Sequence, residues 1–191
     1  MMSTGLWVFS GIVILLLLSA VMSYNRLVSL KHAVGKAWAN IDVLLKQRHD
    51  ELPKLVEVCK QYKQFEQQTL QQVIEARSRV QVAREKQDMA ALGAAEGALR
   101  AGLGQIFAVA EAYPELRANE NFMHLQGRIS QLENAIADRR ELYNEAVNIN
   151  NVRVEQFPDS IIAGAFKFGT QPLLRFSSAE KRDVDMKQLF G

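Results

Sequence analysis

The 191-residue sequence lacks the features of disulfide-stapled, sheet-rich or strongly charged proteins. Its only cysteine, Cys59, has no second cysteine to pair with and cannot by itself form a cysteine-based metal site. Four prolines and 8% aromatic residues are too few for a sheet with many turns. With 23 basic and 21 acidic residues, the chain also lacks the positive excess of nucleic-acid-binding proteins. These shortages favour a helical protein that does not bind nucleic acid.

Charged side chains are also missing from residues 1–25, and residues 6–22 read LWVFSGIVILLLLSAVM. About 20 helical residues cross a bilayer core of about 30 Å, and residues 5–24 supply that length, with Trp7 and Tyr24 near its ends. The alternative is a cleaved signal peptide, which has a basic start and a small-residue cleavage site. Since neither feature is evident, we predict an uncleaved anchor that contacts the lipid bilayer through residues 5–24.

Basic residues on one side of this segment predict its orientation. Arg26, Lys31 and Lys36 follow the apolar segment, and no lysine or arginine precedes it. Lysine and arginine collect on the cytoplasmic side of membrane segments because they resist translocation. The sequence therefore predicts a single-pass protein with residues 1–4 outside and the following chain in the cytoplasm.

The chain after the anchor has the apolar spacing of long amphipathic helices. Between residues 27 and 80, apolar residues recur every three or four positions and form one helical stripe. Pro53 lies inside this stripe, where it removes a backbone hydrogen bond and clashes with the preceding turn. We therefore expect a kink or a helix restart at Pro53.

Two further helices are predicted. Residues 89–113 consist mostly of Ala, Gly and Leu, which favours a closely packed helix, with a flexible linker as the alternative. Residues 119–121 offer capping side chains before a regular apolar stripe over residues 122–154, which ends ahead of Pro158. Three amphipathic helices with short connections indicate an antiparallel bundle.

The last 34 residues, 158–191, have no regular apolar period at first and contain several aromatic residues. A capping box at residues 177–180 then predicts a short helix ending near Phe190. Four phenylalanines lie in its irregular part or directly before it, namely Phe157, Phe166, Phe168 and Phe176. We interpret this tail as folding back on the bundle. Docking of a partner, or contact with the membrane surface helped by Lys167 and Arg175, are the alternatives.

Catalytic and metal-binding patterns are weak. The three histidines, at positions 32, 49 and 124, are scattered, and the sequence has no HExxH motif, phosphate-binding glycine loop or nucleophile elbow. His49 and Asp50 are neighbours, but adjacent residues of a helix point about 100° apart. We predict no catalytic, cofactor-binding or metal-binding residues, no cofactor and no small-molecule substrate.

Several charged and polar residues lie on or beside the apolar stripes, where a side chain must reach solvent or find a partner. We predict that they form a polar layer which fixes the register of the bundle, with partner binding as the alternative. The predicted residues are Asp42, Arg48, Glu66, Arg139, Arg140 and Asn144.

Six motifs, in this order along the chain, resemble the LemA family of bacterial membrane proteins. They are YNRLV at 24–28, WANIDVLLKQRHDELPKLV at 38–56, AYPEL and ANENF within 112–122, RELYNEAV at 140–147, and FP at 157–158. The resemblance implies a short outward N-terminus, one anchor and an up-and-down bundle of the four-helix type. It implies no enzymatic activity and no agreed biochemical function, and relatives are associated with membrane organelle formation in magnetic bacteria.

Together these observations predict an all-α protein of the bacterial inner membrane. Its parts are a short N-terminus at 1–4, a transmembrane helix at 5–24, a long antiparallel bundle at 25–157, and an irregular tail with a short terminal helix, at 158–191, that packs on the bundle. We predict a non-enzymatic scaffold or adaptor that binds a protein partner or self-associates. The alternative is a protein that remodels or organises membranes through lipid contact or self-assembly.

The orientation is testable with single engineered cysteines at Ser3 and in the C-terminal tail. A membrane-impermeant thiol reagent should label position 3 in intact cells and leave the tail unlabelled, because the basic residues after the anchor hold the body in the cytoplasm. Permeabilised cells, in which both positions should react, provide the control. Labelling of the tail alone in intact cells would contradict the predicted orientation.

Overall fold

The computed structural model of the protein describes residues 4–62 and 65–175. All the regular secondary structure in this part of the chain is helical, which confirms the predicted all-α fold. The helices are α1 (Thr4–Lys60), α2 (Gln67–Glu85), α3 (Met89–Glu111), α4 (Pro114–Arg117), α5 (Glu120–Glu155) and α6 (Asp159–Ala165).

The described residues form two compact units. Of the described residues, we call the unit drawn from 4–40 and 141–173 the anchor unit, and the unit drawn from 41–62, 65–140 and 174–175 the bundle unit. The long helices α1 and α5 each contribute residues to both.

The bundle unit is a four-helix bundle of the up-and-down type. Contacts between its helices join Asp42 to Arg84, His49 to Arg77, Arg100 to Glu133 and Phe107 to Phe122. In each pair of helices one sequence number rises as the other falls, so α1 runs antiparallel to α2, and α3 runs antiparallel to α5. A turn of three residues, 86–88, joins α2 to α3. The four-helix type that the family resemblance implied is therefore present in this unit.

Apolar side chains from all four helices fill the centre of the bundle unit. Burying a leucine or isoleucine contributes about 1.5–3 kcal/mol relative to leaving it exposed, so this core is the main source of stability. The fully buried side chains include Ile41, Leu45, Leu52, Leu55, Val73, Leu92, Leu99, Leu103, Ile106, Phe122 and Ile129.

The helix α1 continues through Pro53 without the restart that the sequence allowed. A proline inside a helix costs about 3 kcal/mol, mainly through the lost hydrogen bond and the clash with the preceding turn. The neighbouring side chains of Leu52 and Leu55 are fully buried, and their packing offsets this cost. The apolar stripe over residues 27–80 instead divides after Lys60, where α1 ends.

The Ala- and Gly-rich segment is a helix, α3, and not a flexible linker. Asp88 caps its start, since the carboxylate accepts hydrogen bonds from the backbone N–H groups of Ala90 and Ala91 at 3.1 and 3.0 Å. A Cβ atom placed on Gly102 would lie 2.9 Å from Cγ2 of Val73 on α2. The small residue therefore lets α2 and α3 approach closely.

The start of α5 follows the predicted capping pattern. The side-chain oxygen of Asn119 accepts a hydrogen bond from the backbone N–H of Phe122 at 3.1 Å. The short helix α4 carries Pro114 at its start, where a missing N–H breaks no helical hydrogen bond.

The anchor unit contains α6, which the sequence analysis did not predict. Pro158 and Asp159 open this helix, and an acidic first turn suits the positive end of the helix dipole. Its seven residues are too few to show an apolar period, which is why the pattern missed it. The predicted capping box at 177–180 and the terminal helix ending near Phe190 lie outside the described residues.

Side chains of α5 hold the segment that follows α6. Tyr143 donates its hydroxyl hydrogen to the carbonyl of Pro172 at 3.0 Å. Asn151 donates to the carbonyl of Gln171 at 2.9 Å and accepts from its backbone N–H at 2.8 Å. Residues 169–172 are therefore fixed to α5 by hydrogen bonds despite having no regular secondary structure.

Two glycines of α3 should respond oppositely to a larger side chain. Gly102→Leu should lower the free energy of unfolding by about 1–3 kcal/mol, because the new side chain overlaps Val73. Gly104→Ala should raise it by about 1 kcal/mol, because Gly104 has open space beside it and alanine favours a helix. Chemical denaturation of the full chain in detergent measures both changes. Equal effects of the two substitutions would contradict the close approach of α2 to α3.

Candidate functional site

A buried ion cluster joins three helices at the centre of the bundle unit. Arg48 on α1 donates through Nη2 to an Oε1 acceptor on Glu96 of α3, and both side chains are almost fully buried. The other terminal nitrogen of Arg48, Nη1, donates to Oε1 of Glu133 on α5 at 3.2 Å. Arg100, also on α3, lies 3.9 Å from the second oxygen of Glu133.

Burial and charge act against each other on Glu133. Loss of water around the carboxylate raises its pKa, and this effect outweighs the neighbouring Arg48 and Arg100, which lower the pKa. The buried Nε of Arg48 has no hydrogen-bond acceptor among the residues described. Opposite charges on α1, α3 and α5 thus stabilise one another in the cluster. Removal of one charged side chain leaves another charge without its partner.

The space beside this cluster is too small for a ligand. The cavity lined by Arg48, Glu96 and Glu133 measures about 10 Å³, which is room for no more than one water molecule. The arrangement therefore links α1, α3 and α5 through ion pairs.

The other predicted polar residues lie at different places. Asp42 pairs at 3.6 Å with Arg84 of α2, and Glu66 accepts a hydrogen bond from the hydroxyl of Thr69 at 2.9 Å. Arg139 is exposed, whereas Arg140 and Asn144 are half-buried and each have a polar or charged partner. Arg48 is the member of the predicted set that the structure places in the ion cluster.

Sequence reasoning missed Glu96, the most buried acid of the cluster. A signal was present, because Glu96 is the one charged residue within AALGAAEGAL, a helical segment otherwise made of small and apolar residues. A charge in such a segment requires a partner, and the pattern does not say which.

Cys59 and His49 lack the properties of catalytic groups. Cys59 is fully buried, and loss of hydration raises the pKa of its thiol to about 12, so it remains protonated at neutral pH. Burial, and then the nearby Arg77, lower the pKa of His49, so its imidazole is neutral at pH 7. Within residues 4–62 and 65–175, no three His, Cys, Asp or Glu residues are grouped to hold a metal ion.

The first part of α1 is long and apolar enough to cross a membrane, and among the helices described it is the only one that passes this test. Its large apolar side chains are exposed, with Leu15 at 69% and Trp7 at 66%. Such an extended apolar surface is stable in lipid and unfavourable in water. The segment therefore fits a membrane anchor.

At the end of this apolar segment, α1 is joined to α6. Ser23 donates a hydrogen bond to Oδ1 of Asp159, and Arg153 of α5 donates to Oδ2 of the same carboxylate at 2.9 Å. The next residue of α1, Tyr24, packs edge-on against Phe166 and Phe168, with ring centroids 4.8 and 5.7 Å apart. These contacts place the residues around α6 beside the last turn of the apolar segment.

Comparison with known proteins decides the family, since residues 37–187 match the LemA family. The chain belongs to the LemA family. This match agrees with the resemblance in the motifs from residue 38 onward and covers most of both the bundle and the predicted tail.

Individual relatives are more distant. The chain is 25% identical to protein LemA of Metamycoplasma hominis over 166 residues, which is 86% of this LemA family chain and 74% of that relative. It is 29% identical over 100 residues to the magnetosome proteins MamQ 2 and MamQ 1 of Paramagnetospirillum magneticum. Those matches cover 52% of the chain but only 37% of each MamQ protein. The likeness to MamQ is thus confined to part of both proteins.

The ion cluster makes a specific prediction for stability. Arg48→Met should lower the free energy of unfolding by about 3–5 kcal/mol, because it leaves the carboxylate of Glu96 buried without a partner. Denaturation of the full chain in detergent, followed by circular dichroism, measures the loss. The double variant Arg48→Met, Glu96→Leu should recover much of it, because the fully buried carboxylate is removed together with its partner and Glu133 keeps Arg100 at 3.9 Å.

The matched control is Arg79→Met, which removes an exposed arginine paired with Glu75 at 3.6 Å. An exposed ion pair contributes about 0–1 kcal/mol, so this substitution should have little effect. If Arg48→Met were as mild as Arg79→Met, the ion cluster would not hold the helices of the bundle unit together.

Proposed function

We propose that this LemA family protein is a non-enzymatic scaffold or adaptor, anchored in the bacterial inner membrane, whose helical body holds a protein partner or a second copy. The observation that carries the proposal is the continuity of α1. One helix, Thr4–Lys60, contains both an exposed membrane-length apolar segment and, after residue 40, fully buried core residues of a helical bundle. A single helix that contains both a membrane segment and part of the bundle core suits a protein that holds a partner protein at a membrane.

The chemistry of the buried polar groups supports a role without catalysis. The charges of Arg48 and Glu96 neutralise each other, and the cavity beside them leaves no room for a substrate. The thiol of Cys59 stays protonated because of its raised pKa. These side chains stabilise the fold and have no exposed reactive atom.

The charges after the apolar segment support a body in the cytoplasm. Arg26, Lys31 and Lys36 are all exposed on α1, within about 20 Å of Tyr24 at 1.5 Å of helix per residue. Basic residues so close to the end of a membrane segment favour retention on the cytoplasmic side.

An exposed apolar surface supports the binding of a protein. Val43 on α1 and Val82 on α2 are exposed at 55% and 48%, and the neighbouring pair Asp42 and Arg84 places them on adjacent helices. Ile74 of α2 is also exposed, beside a cleft of about 240 Å³ that Pro53 lines. Apolar side chains on two adjacent helices are suited to pack against a helix of another protein.

Membrane organisation through lipid contact is the second candidate function. It is favoured by exposed large apolar residues of the anchor unit outside the apolar segment of α1, among them Phe157, Ile161 and Phe166. Flotation with liposomes of a chain lacking residues 1–25 tests this candidate, because it requires lipid contact by the body.

Site-specific photocrosslinking in cells tests the scaffold proposal. A photoreactive amino acid at Val43 or Val82 should give an adduct with one defined protein, or with a second copy of the chain, in membranes from irradiated cells. Mass spectrometry of the adduct identifies the partner. The matched controls are Gln105 on α3 and Asn134 on α5, which are also exposed.

The controls should give at least several-fold less of the same adduct, because a specific interface covers one face of the bundle unit. Adducts with lipid alone from Val43 and Val82 would favour the second candidate. Equal yields of the same adduct from all four positions would contradict a defined docking surface.

A further inference from the structure

A cleft of about 370 Å³ opens in the anchor unit just after the apolar segment of α1. Tyr24, Lys31 and His32 of α1 line one part of it, Asn150 of α5 lines another, and the loop after α6 contributes Lys167. None of its ten lining residues is acidic. Its volume lies within the range of small-molecule sites, and its charge is positive.

The two lysines of the cleft are available to an anion. Both are exposed, and neither forms an ion pair with a carboxylate of the residues described. Two ammonium groups of like charge in one concave site raise the local positive potential. The cleft therefore attracts a negatively charged group.

The backbone at Lys167 is held in an unusual conformation. Its φ of 58° lies in the left-handed region, at the position after α6 where glycine is the usual residue. The backbone N–H groups of Lys167 and Phe168 donate to carbonyls of α6, and Asn150 donates to the carbonyl of Gly169 at 3.3 Å. The loop that carries Lys167 is thus held to α6 and to α5 by hydrogen bonds. Lys167 occupies a backbone position that favours glycine.

The cleft also lies at the depth of lipid headgroups if residues 5–24 cross the bilayer. Lys31 is seven residues beyond Tyr24, which is about 10 Å along the helix. The headgroup layer begins at the end of the apolar segment and is about 5–8 Å thick, and a lysine side chain is long enough to reach back into it. Phe166, next to Lys167, packs directly on Tyr24.

Exposed apolar residues lie in and next to α6, whose following loop lines the cleft. Phe157, Ile161 and Phe166 are 77%, 60% and 59% exposed. Ile161 lies within α6, and Phe157 and Phe166 lie just before and just after it. The hydrogen bond between Ser23 and Asp159 holds this helix against the end of the apolar segment. At the membrane interface such side chains enter the boundary between headgroups and acyl chains, which stabilises them.

We infer that this cleft binds the phosphate of an anionic phospholipid headgroup, with Lys31 and Lys167 as its ligands and with Phe157, Ile161 and Phe166 next to the acyl chains. A free phosphate ion would satisfy the lysines but would leave the apolar residues in water, so the lipid is the better fit. This inference rests on the proposed membrane anchoring, and it adds a ligand and a site to it.

Binding of phosphatidylglycerol to the full chain in detergent tests the inference, with native mass spectrometry as the measurement. Lys31→Gln combined with Lys167→Gln should weaken binding by about tenfold or more, because two charge-assisted contacts are lost. The matched control is Lys36→Gln with Lys46→Gln, which removes the same charge from exposed positions of α1 outside the cleft. This control should change the affinity less than about twofold, because neither Lys36 nor Lys46 lines the cleft.

Several outcomes would overturn the inference. Equal weakening in the control would show that overall positive charge, and not the cleft, retains the lipid. Phosphatidylcholine binding as tightly as phosphatidylglycerol would exclude recognition of an anion. Displacement of the lipid by an equal concentration of inorganic phosphate would identify a free phosphate site. Circular dichroism should show unchanged helicity in both double variants, because all four lysines are exposed.

Membrane fractionation of the same proteins separates this inference from the proposed function. A chain that sediments with membranes but shows no effect of the cleft substitutions contradicts the cleft alone. A wild-type chain found outside the membrane fraction contradicts the anchoring on which the inference rests.

Discussion

The buried charge of Arg48 is the constraint on which the bundle unit depends. A guanidinium group inside an apolar core is tolerated only with acceptors close by, and here Glu96 and Glu133 approach it from two other helices. Apolar packing alone would determine the register of these helices poorly, because similar leucine side chains recur along each helix and make similar contacts in several registers. In the register that the structure has, Arg48 pairs with carboxylates of α3 and α5. A shift of one of these helices by a turn, about 5.4 Å, would separate the charges.

A second polar contact has a comparable role in the anchor unit. Asp159 accepts hydrogen bonds from Ser23 on α1 and Arg153 on α5, at the end of the apolar segment. This contact and the packing of Tyr24 on Phe166 hold α6 and the following loop beside that end. The surface directly after the proposed anchor therefore combines aromatic, aliphatic and basic side chains, which are the residue types typical of membrane interfaces.

The sequence predicted those features that depend on neighbours along the chain. The apolar anchor, the Ala-rich helix α3, the cap at Asn119 and the helical stripes each follow from local spacing or propensity, and the structure has them. Contacts between residues that are far apart in the sequence were harder to predict. The pattern singled out Arg48 but missed Glu96, because helical spacing shows that a side chain faces the core and not which helix it meets there. Helix α6 escaped notice because seven residues are too short for a period.

By itself, then, the sequence determined the helical class, the membrane-length segment, the charge that follows it and the LemA family. These features depend on composition and on apolar residues that recur every three to four positions. Both are properties of the sequence and do not depend on the folded structure. Only the tertiary structure decided that α1 passes through Pro53, that Arg48 lies between two glutamates, and that Lys31 and Lys167 meet in one cleft. The reason is physical. Lys31 and Lys167 are 136 positions apart, and such residues come together only through packing and hydrogen bonds that local propensity does not encode.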